Sequence, residues 1–155
     1  MGKEIERKFL IDMNQWQILE KPRGYLLRQG YLVADPDKTV RVRITPENAF
    51  LTIKGRTTLA TRSEFEYEIP IDDAMNLLQE FAVTELSKIR YEILHKDKLW
   101  EVDEFLGDNN GLIVAEIELL SEDEAFEKPL WVKEEVTGDK KYYNACLITV
   151  PYKSW

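Results

Sequence analysis

Charged and apolar residues alternate one for one in segment after segment, and this two-residue period constrains the fold more than any other feature. Near the N-terminus, Glu4, Glu6 and Lys8 alternate with Ile5, Arg7 and Phe9, and the pattern recurs at 40–44, 64–69, 88–93, 101–103 and 115–119. Successive side chains of a β-strand point to opposite faces, so each segment has one charged face and one mainly apolar face. The sequence therefore predicts a sheet of many short strands.

Turn and capping residues divide the chain into strands and helices. Strands are expected at about 3–11, 26–34, 39–46, 49–56, 63–71, 87–96, 99–106 and 112–120, with Pro-, Asn-, Asp- and Gly-rich turns that make neighbours mostly antiparallel. Helices are expected at 13–20 after Asp12 and at 74–81 after Asp72 or Asp73. Two more are expected, one after the capping box Ser121-x-x-Glu124 and ending before Pro129, and one at 140–148 after Asp139. The predicted fold is α+β in a single domain spanning 1–155.

The bulk composition excludes several classes of partner. A formal net charge of −8 argues against a nucleic-acid-binding surface, and the single cysteine excludes an intramolecular disulfide. No apolar run is long enough to span a membrane, and the N-terminus lacks the apolar core of a signal peptide. We therefore expect a cytoplasmic protein without membrane or nucleic-acid partners, as a monomer or homodimer.

The position of the charged face is open from the pattern alone. An antiparallel sheet with one face in water also alternates in this way. Against that reading, the charged face contains almost no Ser, Thr, Asn or Gln, and the predicted helices could cover the apolar face. A curved or closed sheet with its charged face inside and its apolar face under helices would instead enclose a polar cavity.

The charged face has a basic half and an acidic half. The basic half, suited to phosphate oxygens, comprises Arg41, Arg43, Lys54, Lys88 and Arg90. The acidic half comprises Glu4, Glu6, Glu64, Glu66, Asp103, Glu116 and Glu118. So many facing carboxylates would repel one another unless cations lie between them, and oxygen-only ligands favour Mg²⁺ or Mn²⁺. This combination is typical of polyphosphate chemistry.

An ordered set of short motifs resembles the CYTH superfamily, the triphosphate tunnel metalloenzymes, and in particular its short bacterial members. The motifs are Glu-Ile-Glu-Arg-Lys-Phe at 4–9, Gln-Gly-Tyr-Leu at 29–32, Val-Arg-Val-Arg at 40–43, Leu-Thr-Ile-Lys at 51–54, Glu-Phe-Glu at 64–66, Lys-Ile-Arg-Tyr at 88–91, Glu-Val-Asp at 101–103, Val-Ala-Glu-Ile-Glu-Leu at 114–119 and Tyr-Tyr-Asn at 142–144. Each is weakly specific, but their order along nearly the whole chain is highly specific.

The resemblance implies a fold and roles for individual residues. The expected fold is an eight-stranded antiparallel β-barrel, a tunnel with a charged interior, open at its ends and surrounded by helices. Glu4, Glu6, Glu116 and Glu118 would be the main metal ligands, supported by Asp103, Glu64 and Glu66. The basic half would bind the triphosphate, with Lys140 or, as the preferred choice, Lys141 adding a contact from the C-terminal helix. Lys8 with Tyr31 would handle the attacking water.

The expected activity is the metal-dependent hydrolysis of a phosphoanhydride in a triphosphate-containing small molecule. Inorganic tripolyphosphate is the preferred substrate, with weaker action on nucleoside triphosphates. A class IV-type adenylate cyclase and a non-catalytic polyphosphate-binding module are the alternatives. The first would need an adenine-recognition motif, which we do not find, and the second would not need the acidic set.

Overall fold

The computed structural model describes residues 2–155, which form an antiparallel sheet with three short α-helices. The strands are β1 (Glu4–Ile11), β2 (Tyr25–Asp35), β3 (Lys38–Ile44), β4 (Ala49–Gly55), β5 (Thr61–Arg62), β6 (Glu64–Ile69), β7 (Glu85–His95), β8 (Lys98–Phe105), β9 (Ile113–Glu118) and β10 (Val132–Glu135). The helices are α1 (Met13–Ile18), α2 (Ile71–Phe81) and α3 (Asn144–Thr149), and 3-10 turns occupy Gly107–Asn109, Lys140–Tyr142 and Tyr152–Ser154. The predicted α+β class is confirmed, and the eight predicted strands correspond to β1–β4 and β6–β9.

The sheet curls around a cavity. Its strand order is β10-β1-β9-β8-β7-β2-β3-β4-β6, with every pair antiparallel, and side chains from all strands except β10 line the cavity. The closed barrel that was predicted is not complete, because β6 does not pair with β1. The two-residue strand β5 lies between them and pairs with β1, with Arg62 opposite Glu4, and Glu64 N donates to Gly2 O at 3.2 Å.

The apolar face of the sheet lies outside, as the cavity hypothesis requires. One core cluster packs Trp16 of α1 against Phe9, Trp100 and Trp131. The N-cap of α1 is Asp12, whose carboxylate accepts a hydrogen bond from Gln15 N at 3.1 Å. A second cluster places α2 against β3 and β4. Burial of these aromatic and aliphatic side chains on the outer face leaves the inner face to the charged residues.

The helix predicted after Ser121 is absent from the structure described for 2–155. The Ser121 hydroxyl bonds to Asp123, and the Glu124 carboxylate accepts the Leu120 amide and pairs with Lys98. Such local side-chain bonds satisfy the backbone in a turn and so compete with a helix. The capping-box pattern was therefore misleading here.

The other two predicted starts also differ in detail. Helix α2 begins at Ile71 after Pro70, without a side-chain cap, and Asp72 and Asp73 lie in its first turn, where their charge favours the helix dipole. The helix expected at 140–148 is broken at Tyr143, whose backbone is extended. Asp139 instead caps the 3-10 turn before it, accepting a bond from Lys141 N at 3.3 Å.

Apolar residues fill one end of the barrel. Inward-facing Leu86, Phe105 and Val114 pack against Tyr142 and Leu147 of the C-terminal segment, and Leu147 is 1% exposed. The tunnel was expected to be open at its ends, but here the C-terminal segment plugs one of them. The cavity is therefore blind on that side.

None of the helices within residues 2–155 has the length and apolar character needed to cross a membrane.

Candidate active site

The cavity has a volume of about 780 Å³ and gathers almost all of the predicted site residues. This volume lies within the range of about 300–1,000 Å³ that is usual for small-ligand sites. The predicted residues that line it are Glu4, Glu6, Lys8, Tyr31, Arg41, Arg43, Lys54, Glu64, Glu66, Lys88, Arg90, Glu116 and Glu118. The strand period predicted the face for twelve of these side chains, and the family resemblance added Tyr31.

Asp103 holds two of the basic residues, Lys88 and Arg90, in place. Its carboxylate is fully buried and accepts bonds from Arg90 Nε at 2.8 Å, Arg90 Nη2 at 2.9 Å and Lys88 Nζ at 2.7 Å. Arg90 Nη1 also donates to Glu101 at 2.6 Å, and Lys88 Nζ donates to Asn144 Oδ1 at 3.2 Å. Burial, although opposed by the charge of Asp103, lowers the pKa of Lys88 to about 8. This network holds two cations rigidly in the wall of the cavity.

The arginines of β3 are held more loosely. Arg41 Nη2 and Arg43 Nη2 lie 3.7 and 3.6 Å from Glu66 Oε2, and Arg41 Nη2 donates to Thr52 Oγ1 at 3.3 Å. Burial, together with the neighbouring charges of Arg41 and Arg90, lowers the pKa of Arg43. Because two guanidinium groups share one carboxylate, they retain donors that an entering anion can use.

Lysines lie between the carboxylates of the acidic half. Lys54 Nζ lies 2.7 Å from Glu4 Oε2 and 3.2 Å from Glu64 Oε2. Lys8 Nζ likewise lies 3.6 Å from Glu116 and 4.0 Å from Glu6. Ammonium groups thus neutralise carboxylates that the sequence predicted to hold metal.

The pKa shifts follow from this crowding. Burial, with the charges of Glu4, Glu64 and Glu6, raises the pKa of Glu118. For Lys8, burial alone would lower the pKa, but the carboxylates of Glu116 and Glu6 outweigh it and raise the pKa above its ordinary value. Lys8 is therefore a cationic hydrogen-bond donor at neutral pH, suited to orienting water and unsuited to removing its proton.

The acidic half suits a hard divalent cation in the chemistry of its donors. All of them are carboxylate oxygens, the type that Mg²⁺ and Mn²⁺ prefer, and their mutual repulsion favours a cation between them. Within residues 2–155, however, no three Asp, Glu, His or Cys side chains converge closely enough to form a ready-made metal site. A metal bound between Glu4 and Glu64, or between Glu6 and Glu116, would replace the ammonium group that now lies there.

The structure corrects the position of two predicted residues. Asp103 does not line the cavity, because Lys88 and Arg90 cover its carboxylate. Lys141 is exposed, and its ammonium lies 4.5 Å from the ring centre of Trp155 and 5.2 Å from that of Tyr142. Its neighbour Lys140 lines the cavity instead. The break at Tyr143 changes the helical phase, which the sequence pattern could not reveal.

Several lining residues were missed as site candidates. Arg62 lies two residues before Glu64 on the same face, with its Nε 3.7 Å from Glu4 Oε2. Glu101, Tyr143 and Asn144 also line the cavity. The alternation Arg62-x-Glu64-x-Glu66 carried a signal for Arg62, and the Glu101-x-Asp103 pair carried one for Glu101. Tyr143 and Asn144 line the cavity because the C-terminal segment folds back onto it. No periodic pattern in the sequence indicates this fold-back.

The antiparallel sheet curls around one cavity, in which arginines and lysines face carboxylates. This arrangement defines a class of polyanion-binding α+β protein. The chain belongs to the CYTH family, since the CYTH domain model matches residues 2–144. It is 46% identical to an inorganic triphosphatase of Acetivibrio thermocellus, over 100% of this chain and 99% of the relative. It is 37% identical to an inorganic triphosphatase of Nitrosomonas europaea, over 96% and 99% of the two chains.

Solved structures agree with the fold. A crystal structure of an inorganic triphosphatase is 34% identical, with a TM-score of 0.65 and coverage of 96% of this chain and 95% of that one. The structure of a putative adenylate cyclase from Bacillus halodurans, at 21% identity and a TM-score of 0.60, covers 79% of this chain and 84% of that one. At that identity the second match speaks only for the fold.

Proposed function

We propose that the protein hydrolyses a phosphoanhydride bond of a triphosphate, with inorganic tripolyphosphate as the preferred substrate and Mg²⁺ or Mn²⁺ as cofactor. The observation that carries the proposal is the facing of two opposite charge sets across one cavity of about 780 Å³. The names of the two full-length relatives point to the same substrate. The site would belong to one CYTH domain spanning 1–155.

The basic residues would bind and orient the phosphate chain. Lys88 and Arg90, fixed by Asp103, offer preset charges, whereas Arg41, Arg43 and Lys54 would exchange their carboxylate partners for phosphate oxygens. Charge-assisted bonds from guanidinium groups also stabilise negative charge that develops on the departing phosphates. This set needs no base-recognition pocket, which favours an inorganic chain.

The carboxylates would hold the cofactor. Glu4, Glu6, Glu116 and Glu118 are the proposed main ligands, supported by Glu64 and Glu66, and Asp103 acts through the cations that it fixes. A bound divalent cation would neutralise the phosphate oxygens and lower the pKa of coordinated water. Lys8 and Tyr31 would orient the attacking water by hydrogen bonds.

In the reaction, the oxygen of water forms a bond to the terminal phosphorus as the bond from that phosphorus to the bridging oxygen breaks. The products are orthophosphate and pyrophosphate, and the protons of the water are shared between these anions and the solvent. In-line attack fits a cavity in which the phosphate chain is held along its length by cations.

The test uses the purified protein with Mg²⁺ or Mn²⁺ and, separately, tripolyphosphate, ATP or thiamine triphosphate. We expect phosphate and pyrophosphate from tripolyphosphate, with activity lost in EDTA. Cyclic AMP from ATP would favour the cyclase alternative, and tight binding without products would favour the binding module.

Replacing a proposed metal ligand sharpens the assignment. Glu6→Ala should lower metal-dependent turnover by at least about a hundredfold, since the remaining carboxylates would hold the cation in altered geometry. The matched control is Glu68→Ala on β6, whose carboxylate bonds to Asn48 and does not line the cavity. Near-normal turnover in Glu6→Ala would contradict the site.

A further inference from the structure

Gln29 is buried inside the barrel with an unpaired amide. Its side chain is 0% exposed, and within residues 2–155 neither Oε1 nor Nε2 has a hydrogen-bond partner. Buried amides are nearly always paired, and an unpaired one destabilises the fold. The presence of a glutamine at this position therefore needs an explanation other than stability.

The sheet register identifies the group that Gln29 can reach. Gln29 shares its face of β2 with the cavity-lining Tyr31, whereas the intervening Gly30 faces Leu78 of α2 on the outside. Its two cross-strand neighbours are Arg43 on β3 and Leu86 on β7. Leu86 is apolar, so Arg43 is the neighbour that offers a hydrogen bond, across a typical Cβ separation of about 5 Å.

Arg43 has an unpaired donor of its own. Its Nε is buried without a partner, and so is that of Arg41, while the Nη2 atoms of both lean towards Glu66. Arg Nε and Gln Oε1 lie equally many bonds from their Cβ atoms, so the two can meet side by side between paired strands. In the observed structure, Glu66 contacts Nη2 of Arg43, so it orients the guanidinium group from the side away from Nε.

We propose that Gln29 is a positioning residue for Arg43, whose Nε–H donates to the amide oxygen of Gln29 when a triphosphate displaces Glu66 from the guanidinium group. The bond would fix the guanidinium plane so that both Nη atoms face phosphate oxygens. The inference rests on the proposed function, because it requires the cavity to bind a triphosphate.

The test replaces the amide without changing its shape. In the ligand-free protein, Gln29→Met should raise the midpoint of thermal unfolding, because it removes an unpaired buried amide. The same variant should bind tripolyphosphate about tenfold more weakly in EDTA, measured by calorimetry, because the Arg43 bonds to phosphate lose their orientation. Leu86→Met changes the other neighbour of Gln29 and should affect binding by less than about twofold.

A spectroscopic readout separates positioning from a general effect on the fold. The ¹⁵Nε–¹H signal of Arg43, assigned with Arg43→Lys, should shift and exchange more slowly with solvent when tripolyphosphate is added to the wild type. In Gln29→Met this change should be absent. Gln29→Asn, which keeps an amide but is one methylene shorter, should lose affinity as well and provides a second variant if the methionine variant does not fold.

The outcomes are distinguishable. Wild-type affinity and a wild-type Arg43 signal in folded Gln29→Met or Gln29→Asn would overturn this inference and leave the proposed function intact. A wild-type protein that does not bind tripolyphosphate in EDTA would overturn this inference, and one that also fails to hydrolyse it with Mg²⁺ or Mn²⁺ would overturn the proposed function as well.

Discussion

Replacing Asp103 with asparagine would remove the counter-charge that two buried cations share, and we expect the fold to lose much of its stability. The carboxylate is fully buried and accepts three bonds from Lys88 and Arg90 at 2.7–2.9 Å. Removing one partner of a buried ion pair typically costs about 3–5 kcal/mol. At about 2–4 °C per kcal/mol for a chain of this size, the thermal midpoint should fall by roughly 6–20 °C.

The measurement is urea unfolding followed by circular dichroism, with an exposed ion pair as the control. Lys153 and Asp108 form such a pair at 2.7 Å, with side chains 63% and 65% exposed. Asp108→Asn should therefore change the free energy of unfolding by less than about 1 kcal/mol. Comparison of the two variants separates the effect of burial from the loss of a charge.

The acid dependence gives a second check. Although burial alone would raise the pKa of Asp103, the charges of Lys88 and Arg90 outweigh it and hold the pKa below the ordinary 3.8. The unfolded chain thus binds the proton more readily, so the stabilisation is complete above the ordinary pKa and is lost as the pH falls through the folded value. The stability difference between wild type and Asp103→Asn should be constant between about pH 5 and 7 and shrink in acid.

One result would refute this reasoning. If Asp103→Asn unfolds at the wild-type urea concentration but binds Mn²⁺ more weakly, Asp103 is a metal ligand, as the family resemblance implied, and the ion-pair account is wrong.

Three further perturbations test other parts of the structure. Gly30→Ala would place a Cβ 2.7 Å from Leu78 Cδ2 and should cost about 1–3 kcal/mol in urea unfolding, so full stability would contradict the close contact of β2 with α2. Leu147→Ala should cost about 2–5 kcal/mol and speed proteolysis of the C-terminal segment, and unchanged proteolysis would argue against the plug. Tyr31→Phe should lower kcat at least about tenfold while Mn²⁺ affinity stays the same, and an unchanged kcat would remove Tyr31 from the proposed water-orienting pair.

The two-residue period predicted most of the fold and most of the candidate site. It identified eight strands and the face on which residues such as Glu6, Arg43 and Lys88 lie, because a strand's side-chain direction is set by chain position alone. It could not supply the cross-strand register. Asp103 was placed correctly on the inner face, but only the pairing of β7 with β8 sets it beside Arg90 and beneath the basic side chains.

Short and irregular segments were beyond the reach of the pattern. β5 has two residues and β10 four, too few to display a period. At the C-terminus, the extended Tyr143 shifts the phase between the 3-10 turn and α3, which moved the lining lysine from the preferred Lys141 to Lys140. After Ser121, local hydrogen bonds prevailed over a helix signal that depends on the same polar side chains.

The plug at one end of the barrel has a consequence for long polymers. A linear polyphosphate cannot be threaded through a channel that ends in Leu86, Phe105 and Leu147. An enzyme of this shape would therefore act only on a chain terminus that fits into the cavity, and it would have to release its product before engaging again. On long chains it should work distributively, with intermediate lengths accumulating in solution, whereas short chains that fit completely should be consumed fastest.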